Sequence, residues 1–102
     1  MRVKVTQQDI DLGLQKDAYS CPIARAVKRQ TGAARVKVLF GITVWGEDEV
    51  VGLGVSDDAR FRWKTASHRL PDEAKSFMLR FDRLGKGGVE PFTFEAEPIE
   101  RD

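Results

Sequence analysis

Ser20-Cys21-Pro22-Ile23-Ala24-Arg25-Ala26-Val27-Lys28-Arg29-Gln30-Thr31-Gly32 reads as one short helix with both ends marked. Proline at the first helical position loses no hydrogen bond, because that amide has no partner within the helix. Gly32 suits the left-handed residue that closes a helix. Ile23, Ala26 and Val27 recur three and four residues apart and predict a buried stripe, with Arg25, Lys28 and Arg29 facing outward. The fold is expected to assemble on that stripe.

Upstream, Val3 and Val5 alternate with Arg2 and Lys4, so the N-terminal stretch reads as a strand and not as a signal peptide. Thr6-Gln7-Gln8-Asp9 resembles a capping box with an acid at the third helical position. A two-turn helix should follow and stop at Gly13. Leu14 to Tyr19 is a connector, with Asp17 and Ser20 as turn and cap formers.

Downstream the period changes from helical to alternating. Val36, Val38 and Phe40 predict the buried side of a strand, with Arg35, Lys37 and Leu39 on the other. Gly41 marks a bulge or bend, Ile42 to Trp45 continue extended, and Gly46-Glu47-Asp48 makes a turn. A strand over Val51, Leu53 and Val55 then reaches a tight turn at Ser56-Asp57-Asp58. The cleanest alternation is Ala59, Phe61 and Trp63 against Arg60, Arg62 and Lys64, which places the rings inward and the cations outward. Pro71 is expected as the first residue of the last helix, whose positive end Asp72 and Glu73 complement. Ala74, Phe77, Met78 and Phe81 form its apolar stripe, and it should end near Leu84-Gly85. Lys86-Gly87-Gly88 reads as a flexible loop, and Phe92, Phe94 and Ala96 as a final strand ended by Pro98. This order predicts the α+β class: residues 1–102 form a single two-layer domain, a mainly antiparallel sheet with helices on one face.

Composition bounds the function. A chain of 102 residues, 41% hydrophobic and 32% charged, supports one globular domain with its own core. The net charge of +1 argues against a general polyanion binder. One cysteine excludes an internal disulfide and a multi-cysteine zinc site and favours a reduced, cytoplasmic setting. With no run of about 18 apolar residues, no membrane partner is expected. The sequence holds no phosphate loop, no dinucleotide fingerprint and no clustered metal ligands, so no catalytic residue, metal or cofactor is assigned.

Two features carry candidate chemistry. Cys21 sits at the helix start, where the helix field and Arg25 favour a reactive thiolate. The competing reading is a small apolar residue filling space, since free cysteines are usually buried and the sole histidine, His68, follows a strand far along the chain. The free amides near Ile23 and Ala24, with the Ser20 hydroxyl, offer the anion site common to helix starts, less the donor that Pro22 removes. Arg60, Arg62 and Lys64 make a positive stripe about 14 Å long. It is either solvated, or paired with Glu95 and Glu97 of a neighbouring final strand, or used, with Arg25 and Arg29, to bind a nucleotide or nucleic acid, or engaged in a protein contact. Trp45 falls on the outer side of a regular strand and suggests a partner surface beside Leu39.

Val5-Thr6-Gln7 with Ile10, Cys21-Pro22-Ile23-Ala24 with Ala26, Leu70-Pro71 with Phe77 and Phe81-Asp82, and Pro91-Phe92-Thr93-Phe94 together resemble a family of small uncharacterised proteins of bacteriophages and bacteria. That family has no assigned activity, so the resemblance transfers no residue role. It implies a phage or mobile-element origin, and with it action by binding, host defence components included. The leading expectation is therefore a non-enzymatic binding or regulatory protein that self-associates or docks a host protein. Its alternatives are nucleotide or nucleic-acid binding through Arg60, Arg62 and Lys64, and a thiol enzyme using Cys21.

Overall fold

A computed structural model of the chain describes residues 1–47 and 63–99. The expected strand over 51–55, the turn at 56–58 and the alternation at 59–62 lie outside the described residues. In chain order the elements are β1 (Arg2–Val5), α1 (Gln7–Leu12), α2 (Pro22–Thr31), β2 (Arg35–Val38), β3 (Gly41–Glu47), β4 (Trp63–Arg69), α3 (Asp72–Leu84), a 3-10 turn (Gly85–Gly88) and β5 (Phe92–Glu95). The class is α+β, with every strand pair among the described residues antiparallel.

Helix α2 forms as its sequence dictates. Cys21 is the N-cap, its Sγ accepting the Ala24 N–H at 3.4 Å, and Pro22 holds the first helical position. Gly32 closes the helix at φ +70°, its N–H donating to the Lys28 carbonyl at 2.9 Å. Ile23, Ala24, Ala26 and Val27 are fully buried, and the helix packs on β1, β2 and α1 together.

Helix α1 has the expected capping box. The Thr6 hydroxyl accepts the Asp9 N–H at 3.2 Å, and Asp9 Oδ2 accepts the Thr6 N–H at 3.0 Å. It stops at Gly13 as expected, with that residue extended at φ −72° and ψ 153°. The glycine is needed for space, because a Cβ there would lie 2.7 Å from Pro22 Cδ and 2.8 Å from the Asp9 carbonyl oxygen. Close approach of α1 to the first turn of α2 is thus written into one residue.

The expected sheet is divided in two: β2-β3-β4, and β1-β5. The chain after β5 stitches them together. Ala96 exchanges backbone hydrogen bonds with Met1 at 2.6 and 2.7 Å. One residue later the Glu97 carbonyl accepts the Arg69 N–H at 2.7 Å, and the Ile99 N–H donates to Ser67 at 2.8 Å. Successive residues of an extended chain turn their polar groups to opposite sides, so this segment holds β1 on one side and β4 on the other.

Four local expectations are corrected. Strand β2 stops at Val38, and Leu39-Phe40 forms a hairpin turn closed by the Leu39 N–H to the Gly41 carbonyl at 3.0 Å. Gly41 is therefore the first residue of β3 and not a bulge, and a Cβ on it would meet the His68 carbonyl oxygen at 2.8 Å. Gly46 and Glu47 belong to β3 and not to a turn, while His68 lies within β4 instead of after it.

Helix α3 starts one residue later than expected, with Pro71 as N-cap, its carbonyl accepting from Ala74 and Lys75. Ala74, Phe77 and Phe81 are buried, and Phe77 stacks on Phe92 with ring centroids 4.6 Å apart. The connector before α2 caps the other end: Gln15 Nε2 donates to the Phe81 and Asp82 carbonyls at 3.0 and 3.2 Å. The glycines after α3 form the 3-10 turn where a loop was expected.

Gly13→Ala should lower the unfolding free energy by about 1–3 kcal/mol, the usual cost of forcing a methyl into a packed contact. Urea denaturation with an unchanged m-value checks this.

Candidate functional site

Of the α2 cations, Lys28 is exposed as expected, while Arg29 is bonded to the rest of the protein more than its spacing suggests. Arg29 Nη2 bonds Asp9 Oδ2 at 2.8 Å and the Lys4 carbonyl at 3.0 Å. Beside it Gln30 behaves as a strand residue would: its Oε1 accepts the Lys4 N–H at 2.6 Å, and its Nε2 donates to the Arg2 carbonyl at 2.8 Å. Together these side chains close the outer edge of β1, which would otherwise offer free backbone groups to another strand. Arg25, expected to face outward, is half-buried, and its Nε finds no hydrogen-bond partner among the described residues.

Burial raises the Asp9 carboxyl, but the Arg29 hydrogen bond, the two Thr6 bonds and the Arg29 charge outweigh it and hold the pKa below the usual value of 3.8. A carboxyl depressed in the folded state adds stability above its unfolded pKa, and that stability is lost as pH falls through the folded value. His68 is also depressed from 6.5, first by burial and then by the N-terminal ammonium, and its Nδ1 is enclosed without a hydrogen-bond partner among the described residues.

At Cys21 burial prevails over the helix field. The thiol is fully buried and its pKa is pushed up to about 11, mainly by desolvation, against the lowering bonds from Ala24 and Ile23. The Ala24 amide that an anion would need is already bonded to Sγ. No hydrogen bond joins Cys21 to His68, which lies in the ladder between Ile42 and Pro98.

The outer strand positions are redistributed. Arg60 and Arg62 lie outside the described residues, and Lys64 stands in β4 opposite Gly46. Glu95 pairs with the Met1 ammonium at 3.0 Å, and its strand lies beside β1 rather than β4. Trp45 is half-buried and not a bare anchor beside Leu39. It stands opposite Arg35, whose guanidinium lies 5.6 Å from the Trp45 ring centroid and 4.4 Å from that of Tyr19. Both rings attract the guanidinium through their π faces.

One exposed apolar surface lies at the other end, apart from exposed Leu12, Leu14 and Leu84. Phe40, at the β2–β3 turn, is 91% exposed, Leu39 is 54% exposed and Leu79 on α3 is 67% exposed. Between the turn and α3 runs a groove of about 450 Å³ walled by Ala18, Val38, Leu39, Leu70, Met78 and Leu79, with Phe40 at its margin. Lys16, Asp17, Lys75 and Asp82 are its charged members. A second depression of about 570 Å³ beside the 3-10 turn is more polar, bearing Glu73, Arg80 and Glu90 around the Phe77–Phe92 stack. Sequence alternation missed the groove because it carried Phe40 into the core. The signal available was Gly41, which makes Leu39-Phe40-Gly41 a three-residue hairpin connection.

Among the described residues no cluster of His, Cys, Asp or Glu could hold a metal ion, and no helix is long and apolar enough to cross a membrane. Compared with known protein families, curated proteins and solved structures, the chain matches none.

Two outcomes are expected. The native thiol should fail to react with a disulfide reagent at pH 8 and react at once in denaturant; stoichiometric labelling of the folded protein contradicts its burial. Stability followed by thermal melts should decline as pH drops below about 4, and Asp9→Asn should flatten that decline while lowering stability at pH 7.

Proposed function

We propose that this chain is a non-enzymatic protein-binding module that acts through the surface formed by Phe40, Leu39 and Leu79, by self-association or by docking a host protein. The observation that carries the reading is Phe40. A phenylalanine side chain gains roughly 1.5–3 kcal/mol from burial, yet here it projects from a turn into solvent beside an apolar groove. Scattered surface leucines are ordinary, but an aromatic anchor joined to an apolar groove is the composition of an interface centre. The buried, protonated Cys21 supports binding over thiol chemistry. The closed edge of β1 directs attention away from strand addition there and toward this surface.

Photo-crosslinking tests it. A benzophenone amino acid at position 40, in cells that express the chain, should give a discrete protein adduct, whether with another copy or with a different protein. The same probe at the exposed Lys86 should give none. No adduct at position 40, or the same pattern from both positions, contradicts the reading.

A further inference from the structure

We infer that His68 is a proton-sensitive catch on the extended segment after β5: a neutral ring holds residues 97–99 along β4, and a protonated ring releases them. His68 stands in β4 between Ile42 of β3 and Pro98 of that segment. On one side of the bridge the Arg69 N–H donates to the Glu97 carbonyl at 2.7 Å, and on the other the Ile99 N–H donates to the Ser67 carbonyl at 2.8 Å. Bonds at both flanks make His68 and Pro98 a non-hydrogen-bonded pair, the kind whose side chains approach most closely. Proline has no N–H to add a further bond. The hold of the segment on β4 is therefore short: two backbone bonds among the described residues, with His68 between them.

The ring is placed so that a second proton has nowhere to bond. Its Nδ1 is enclosed with no hydrogen-bond partner among the described residues. A neutral imidazole there carries its proton on Nε2, because an enclosed N–H without an acceptor is worse than an enclosed lone pair. Protonation must then occur at Nδ1, where the new donor is left unpaired. The charged groups around the ring, among the described residues, do not compensate. From β1, the Met1 ammonium is bonded to the Ala96 carbonyl at 2.6 Å, and its counter-ion Glu95 is bound to it at 3.0 Å. From β2, the cation Lys37 shares a depression of about 270 Å³ with His68 and Ile99. β3 contributes Ile42, which does not titrate. Arg69 and Glu97 are exposed, and alternation turns them to the side opposite His68 and Pro98. Burial and the Met1 ammonium accordingly hold the closed ring below its ordinary value of 6.5. Release returns the ring to water, so protons bind the open form more readily. The closed form thus loses stability as pH falls below 6.5, until the folded value is reached.

Amide exchange of the full chain, followed by NMR from about pH 7.5 to about pH 5 under conditions where exchange reports equilibrium opening, tests this. After correction for intrinsic rates, protection of the Arg69 amide should fall by up to about tenfold for each pH unit between 6.5 and the folded value. Its exchange should respond little to low denaturant and stay faster than that of the slowest β2 and β3 amides, the mark of a local opening. His68→Phe keeps a ring beside Pro98 but cannot titrate, and should remove the pH dependence. Protection of Arg69 that is constant with pH, or that retains its full pH dependence in His68→Phe, overturns the catch. So does exchange of the Arg69 amide only through global unfolding. The wild-type ring, titrated through its carbon-bound protons, decides the matter even if His68→Phe fails to fold: a value at or above 6.5 in the folded protein overturns the catch, and a lower one supports it.

Discussion

The docking of α2 across two strand systems is the constraint on which the structure depends. One apolar stripe, Ile23, Ala24, Ala26 and Val27, is buried against β1 and β2 at once. Those strands belong to different hydrogen-bonded sheets, joined otherwise by the extended segment after β5. A helix of ten residues is too short to be stable alone in water, so its stability and that of the strands are the same packing energy seen from two sides. The caps at Cys21 and Gly32 set its length, and the contact of Gly13 with Pro22 sets its distance from α1.

The polar edge of the same helix decides where the molecule can meet others. Arg29 joins α1 to β1 by bonding Asp9 and the Lys4 carbonyl, and Gln30 completes the β1 edge. A guanidinium and an amide that composition would count as free surface are thereby used for cohesion. Arg35 is engaged in turn by Tyr19 and Trp45. The strongest apolar exposure among the described residues is then at the opposite end of the hairpin, where Phe40 and Leu39 cross the turn. Structural cohesion at one end and exposed apolar surface at the other is the division of labour behind the proposed binding role.

What was legible in the sequence was local. The Pro22 start, the Gly32 stop, the Thr6–Asp9 capping box and the Phe77–Phe81 stripe each follow from interactions within a few residues, and the structure has them. Strand partners were not legible, because the change from β1 to β4 between Ala96 and Glu97 is a choice among distant edges that no local pattern encodes. The candidate surface was missed for a related reason. Alternation continues numerically through Val36, Val38 and Phe40, but the backbone reverses at Leu39, so the third member of the series leaves the core. Cys21 was legible as a cap and, from the usual burial of free cysteines, as a space-filling thiol; which of the helix field and burial prevails was not, since the field is a local property and burial is not.

Native-state hydrogen exchange tests the central constraint most directly. If α2 holds both sheets, the slowest β1 and β5 amides and those of β2 and β3 should merge, at low denaturant, onto one unfolding isotherm with one opening free energy. The β1–β5 pair opening at a distinctly lower free energy, with β2, β3 and β4 still protected, would contradict the account, because the two sheets would then be separate units that happen to share a helix.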